Sequence, residues 1–101
     1  MVRERRASGQ TLALLAALIS QPRAWRHGYE LACETGLKSG TLYPILMRLE
    51  QRALLEAKWE DAALAGRPPR HLYRLTAQGV VWTREQLAAE AELALPQRGR
   101  A

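Results

Sequence analysis

Leu42, Ile45, Leu46 and Leu49 recur at i, i+3, i+4 and i+7, which commits residues 38–50 to a helix with one buried stripe. The same helix turns Ser39, Thr41, Tyr43, Met47, Arg48 and Gln51 away from that stripe. Short hydrogen-bonding groups, an aromatic ring and a fixed cation suit contact with a polyanion better than plain solvation. Pro44 restricts where the helix begins. With Thr41 as N-cap it falls in the first turn, where a missing N–H has no intrahelical partner to lose; with Ser39 as cap the first turn must distort.

The rest of the chain has to supply a core for that stripe. At 101 residues it is long enough for one domain and too short for two. Hydrophobic residues make up 48%, aromatics only 6%, and Phe is absent, so the core must be mostly Leu and Ala, which favours helices. A net charge of +5 points to a negatively charged partner, nucleic acid or an anionic membrane. The longest apolar run, residues 12–19, falls far short of the roughly 18 residues that span a bilayer. No secretory signal pattern follows the basic start, and Cys33 is the single cysteine. These features predict a cytoplasmic protein with no membrane partner and no disulfide.

Local signals divide the chain. Residues 1–7, with Arg3, Arg5 and Arg6, are predicted to be a mobile basic arm. Ser8 is a suitable N-cap for a helix that ends near Gln21 and Pro22. In it Leu12, Leu15 and Ile19 make one apolar stripe, and Leu14 and Leu18 another. Trp25, Arg26, His27 and Gly28 are expected to be a connection. Tyr29, Ala32 and Cys33 would then be the inner stripe of a short second helix, closed by Gly36 in a left-handed C-cap. Two short helices joined by a glycine-containing turn make a helix-turn-helix.

Next, Leu55, Ala57 and Trp59 alternate with polar residues, and His71, Tyr73 and Leu75 do the same, which predicts two half-buried strands. Between them the glycine- and proline-containing segment that carries Arg67 and Arg70 forms a basic tip, a wing. Thr76 is a good N-cap for a final helix running to about Leu95 and ended by Pro96. Val80, Leu87, Ala91 and Ala94 line one side of it, and Trp82, Ala89 and Leu93 another. Two apolar sides on a terminal helix call for two packing partners, and the parent domain is only one. The expected fold is therefore mainly α with a small β-hairpin: a winged helix-turn-helix over residues 8–76, a dimerisation helix over 77–95 and a tail over 96–101.

An ordered set of motifs resembles the PadR family of bacterial winged-helix transcriptional regulators. It comprises His27-Gly28-Tyr29-Glu30-Leu31, then Gly40-Thr41-Leu42-Tyr43-Pro44-Ile45-Leu46 with Arg48-Leu49-Glu50, then Gly66-Arg67-Pro68 ahead of Tyr73-Arg74-Leu75-Thr76 and Gly79. The match spans about residues 10–80. The resemblance implies a homodimer whose first and last helices pack across a two-fold axis, and repression of a nearby operon, often relieved by a small molecule. Some members hold flat aromatic ligands through a Trp well inside the last helix. Trp82 comes only six residues after Thr76 and is not assigned that role, and a helix ending near Pro96 leaves no room for a large effector domain.

The expected partners are double-stranded DNA with a palindromic operator, a second copy of the chain, and, as an open alternative, a small aromatic effector near Trp25 or Trp82. A protein-interaction module is the other alternative. Ser39, Thr41 and Tyr43 would approach base edges beside Pro44, and Lys38, Arg48, Arg67 and Arg70 would neutralise phosphates. Tyr29 either donates to a phosphate or fills the core. Glu60 and Asp61 at the wing base would repel phosphate. The dimer set is Leu12, Leu15, Ile19, Val80, Leu87, Ala91 and Ala94, and Cys33 is expected to be a small core residue. His27 and His71 have no metal-ligand companions, and no nucleophile elbow, phosphate loop or carboxylate pair is present. The sequence thus predicts no enzyme, metal or cofactor.

Overall fold

The computed structural model of the protein describes residues 7–61, 66 and 68–94. Arg67, the arm carrying Arg3, Arg5 and Arg6, residues 95–101 and the side chain of Ala94 lie outside them. The order of elements is α1 (Gly9–Ile19), β1 (Arg26–His27), α2 (Gly28–Thr35), α3 (Ser39–Gln51), β2 (Leu55–Trp59), β3 (His71–Leu75) and α4 (Ala77–Ala94). The strands form one antiparallel sheet in the order β1-β3-β2. Leu55 faces Leu75, Ala57 faces Tyr73 and Trp59 faces His71, while Arg26 and His27 of β1 pair with Tyr73 and Leu72.

Capping fixes most of the element ends. Ser8 Oγ accepts from Thr11 N at 3.2 Å, Gly36 closes α2 with φ 75°, and Thr76 Oγ1 accepts from Gly79 N at 2.9 Å. Each satisfies an end group that a helix cannot pair internally. The start of α3 differs from both sequence options. Lys38 is its N-cap, the Lys38 carbonyl accepts from both Thr41 and Leu42 N at 2.9 Å, and Ser39 and Thr41 are already helical. Pro44 therefore lies inside α3, where it withholds the N–H that the Gly40 carbonyl would otherwise accept.

The core consists of Leu14, Leu15, Leu18, Leu31, Leu42, Ile45, Leu46, Leu49, Leu54, Leu55, Tyr73 and Leu75. Leucine dominates it, as the composition requires, and the alanines sit at its margin. Leu15, expected at a dimer seam, is instead fully buried beside Leu14 and Leu18 within the protomer, so it has no surface to offer a second copy. The face of α2 is also corrected. Gly28 and Leu31 are the buried positions, with Ala32 and Thr35 half-buried behind them, and Tyr29 and Cys33 are exposed. Because α2 begins at Gly28, its inner stripe is 28, 31, 32 and 35.

Residues 25–28 are more than a connection. Arg26 is 1% exposed, and its guanidinium ties three segments together. Nε donates to Glu30 Oε2 at 2.9 Å, Nη1 to the Ala17 carbonyl at 3.1 Å, and Nη2 to Glu34. A buried cation with its hydrogen bonds made to two carboxylates and a backbone carbonyl locks α1, β1 and α2 in register.

On α4 the inward stripe is Gly79 and Thr83, both buried, flanked by the partly buried Val80, Trp82, Gln86 and Leu87. From residue 88 to 93 every side chain is exposed, Ala89, Ala91 and Leu93 among them. Gly79 allows the helix onto the α3–β2 turn, where a Cβ would collide with the Leu54 carbonyl. No helix among the described residues is long and apolar enough to cross a membrane.

Candidate nucleic-acid interface

At about 100° per residue, α3 divides its non-core side chains into three strips. Gly40, Pro44, Met47 and Gln51 point most directly away from the core, and all are exposed. Ser39, Tyr43 and Glu50 fall on one flank, and Thr41, Arg48 and Arg52 on the other. The residues expected to touch DNA are thus split across both flanks. Of the outermost strip, Pro44 is among the residues expected at the interface and Met47 and Gln51 belong to the outward set, whereas Gly40 carries no side-chain signal.

The two flanks have different neighbours. On the first, Tyr43 rests on Gly28 at the start of α2. The hydroxyl of buried Tyr73 in β3 ionises above its ordinary range, chiefly because burial disfavours the charged form, with Tyr43 and Glu50 adding repulsion. Gly28 directly follows β1, whose Arg26 and His27 pair with Tyr73 and Leu72 of β3, so the sheet stands on the Tyr43 side of α3. On the second flank, Arg48 and Arg52 border a cavity of about 310 Å³, together with Ser8, Thr11, Ile45, Leu49 and Trp82. Arg52 stacks on the Trp82 ring at 4.8 Å. That arrangement is favourable for a cation over an indole face.

Lys38, Ser39, Tyr43, Pro44 and Arg48 are exposed, and Thr41 is half-buried. Tyr29, 72% exposed, is placed by the fold on the surface, which removes the core-filling option. Its hydroxyl ionises above the ordinary range, first through a hydrogen bond with Cys33 one turn along. Arg70 is half-buried and its Nη2 donates to Glu60 Oε2 at 3.3 Å, so the acid at the wing base holds the wing's own cation. Glu60 N also donates to the Arg70 carbonyl at 2.7 Å, extending the hairpin ladder.

Trp59 departs from the half-buried strand pattern: it is 64% exposed because its rung lies beyond the core that covers Leu55. The opposite face of the sheet is covered differently. There Lys58 and Arg74 lie over the Trp25 ring at 4.6 and 4.4 Å, and Arg74 Nε donates to Glu56 at 2.9 Å. Those cations are engaged with the protein's own side chains.

A helix-turn-helix of α2 and α3 with an antiparallel hairpin beside the second helix defines a winged helix-turn-helix. The chain belongs to the PadR-like family of transcriptional regulators, whose family model matches residues 14–85. It is 32% identical over 76 residues to an uncharacterized protein of Lysinibacillus sphaericus, covering 67% of this chain and 68% of that one. Among solved structures, a PadR-like transcription factor from Bacteroides fragilis is similar with a TM-score of 0.69 and 26% identity, covering 82% of this chain and 81% of that one. The PcaV transcriptional regulator from Streptomyces coelicolor, solved with its natural ligand, is similar with a TM-score of 0.71 and 27% identity. There the match covers 89% of this chain and 60% of that one.

Proposed function

We propose that the protein is a sequence-specific DNA-binding repressor that acts as a homodimer on an inverted-repeat operator. The observation that carries this reading is the exposed face of α3 with the sheet standing on its Tyr43 flank, in a family of transcriptional regulators. Two copies would set their α3 helices into successive major grooves about 34–36 Å apart. Ser39, Thr41 and Tyr43 approach base edges, and Lys38, Arg48, Arg67 and Arg70 neutralise phosphates. Support for the dimer comes from the exposed apolar residues of α4, Val81 and Leu93 above all, which the protomer leaves uncovered. Leu12, Ile19, Val80, Leu87 and Ala91 remain in the proposed seam, and Leu15 does not.

Selection of genomic fragments with the purified protein tests the reading: a palindromic site should emerge. Arg48→Ala combined with Arg67→Ala should abolish its binding without dissociating the dimer. If about four cations per subunit neutralise phosphates, log affinity should fall with log salt at a slope of roughly −7. A flat salt response, or a folded monomer by sedimentation equilibrium at micromolar concentration, would contradict this picture.

A second reading, a regulator that also senses a small molecule, is favoured by the cavity that brings Arg48, Arg52 and Trp82 together. Tryptophan emission titrated with a panel of planar aromatic acids tests it. Unchanged emission across the panel leaves it without support.

A further inference from the structure

The Trp59–His71 rung is the part of the hairpin's core-side face that the protomer leaves open. The two rings lie 4.1 Å apart at 34°, and His71 in turn meets Tyr73 edge-on at 5.6 Å and 74°. Aromatic contact thus continues outward along one sheet face, from the buried Tyr73 to the exposed Trp59. One rung separates them by two residues of strand, about 7 Å. β1 pairs only as far as Leu72, so among the described residues no third strand lies beside the Trp59–His71 rung.

The chemistry of that rung suits a sugar–phosphate backbone. Tyr73 Oη lies 3.3 Å from His71 Nδ1. When the phenol donates, the neutral imidazole carries its proton on Nε2, the nitrogen remote from Tyr73, as a hydrogen-bond donor. The indole beside it offers an apolar surface that can pack against deoxyribose. Arg70, which adjoins His71 in sequence, is paired with Glu60. On the hairpin's other face Lys58 and Arg74 are stacked on Trp25. Among the described residues of the hairpin's core-side face, the Trp59–His71 rung is the one left open.

We propose that Trp59 and His71 form a second DNA-contacting element, in which the indole packs against the sugar wall of the groove flanking α3 and His71 Nε2 donates to the adjoining phosphate. The proposal rests on the reading of the protein as a duplex-DNA binder. It adds a contact on the strand face to those of the wing's cations.

The test uses the full-length protein with Trp25→Phe and Trp82→Phe, so that Trp59 alone emits, titrated with the fluorescently labelled operator duplex recovered by fragment selection. Trp59 emission should shift along the same curve as the DNA anisotropy. Trp59→Ala and His71→Gln should each weaken binding about tenfold, a difference of about 1.4 kcal/mol, with unchanged thermal unfolding. Binding by anisotropy with silent Trp59 emission overturns the proposal alone, and does so even if Trp59→Ala fails to fold. Emission that changes on dilution of the free protein but not on DNA addition places the indole against a second copy and also overturns it. No anisotropy change with the wild-type protein overturns the DNA-binding reading and this proposal with it.

Discussion

Gly28 and Tyr43 are in contact across the helix-turn-helix: a Cβ built on Gly28 would meet the Tyr43 hydroxyl and lie 2.6 Å from its Cζ and 2.9 Å from its Cε1. The missing side chain at the first residue of α2 is what lets the Tyr43 ring lie down beside the turn. Because the obstructing atoms belong to the outer end of a side chain, Gly28→Ala should displace the ring and leave the backbone in place. Stability should then fall by only about 1 kcal/mol, while operator affinity falls further, by roughly tenfold. Chemical denaturation and DNA anisotropy on the same preparations check the pair of expectations. A variant that loses stability and keeps full affinity would show that the orientation of Tyr43 does not matter for binding.

Two other glycines separate packing from propensity. At Gly79 the added methyl would meet the Leu54 carbonyl carbon at 2.8 Å, and backbone cannot yield as a ring can. Gly79→Ala should cost about 1–3 kcal/mol through overpacking. A Cβ on Gly40 meets nothing within 4 Å, and the residue is helical, so Gly40→Ala should stabilise by about 0.5 kcal/mol. Thermal melts distinguish the two. Since Gly40 lies on the outermost strip of α3, a stabilised Gly40→Ala with weakened DNA binding would also mark where the duplex comes closest.

The stripe on α3, the alternation of the two hairpin strands and the caps at Ser8, Gly36 and Thr76 are all legible in the sequence, because each is a local pattern; the strand register, set across the tip between Glu60 and His71, is not. The parts that escaped depend on distant partners. β1 has two residues, too few to display a period, and exists because β3 offers a free edge. Arg26 looks like an exposed cation until Glu30, Glu34 and the Ala17 carbonyl converge on it. On α2 the sequence points to Tyr29, Ala32 and Cys33 as the inner stripe, whereas Gly28 and Leu31 are the buried positions. The start of α3 carries no side-chain signal, since Lys38 caps through its carbonyl alone. On the candidate site, sequence named most of the exposed positions. It could not show that Arg70 is paired or that Trp59 is open.

Arg26 also yields an asymmetric prediction. Its partners Glu30 and Glu34 are 37% and 42% exposed, so replacing the arginine leaves no buried charge behind. Arg26→Met should therefore cost about 1.5–3 kcal/mol, the loss of charged hydrogen bonds, and less than breaking a fully buried pair. Urea melts with unchanged m-values would register it as a stability loss alone. A larger loss, above about 4 kcal/mol, would mean that the unpaired Ala17 carbonyl and the packing of the stem matter more than the ion pairs.

Tyr73 links the core to alkaline pH. Its hydroxyl ionises above the ordinary value of 10.0, first because burial disfavours the phenolate and then because Tyr43 and Glu50 repel it. The unfolded chain, without that environment, releases the same proton at lower pH. The neutral phenol therefore contributes stability that is fully present below pH about 10. That contribution is lost as pH rises through the folded-state value. Tyr73→Phe cannot ionise, so the stability difference between wild type and variant should be level from neutral pH to about 9 and should move in favour of the variant above about 10. Groups that do not face Tyr73 are common to both proteins, so the difference reports the Tyr73 phenol together with its repulsion by Tyr43 and Glu50. Guanidinium melts of the pair across that range measure it, and parallel curves above pH 10 would place the alkaline sensitivity elsewhere.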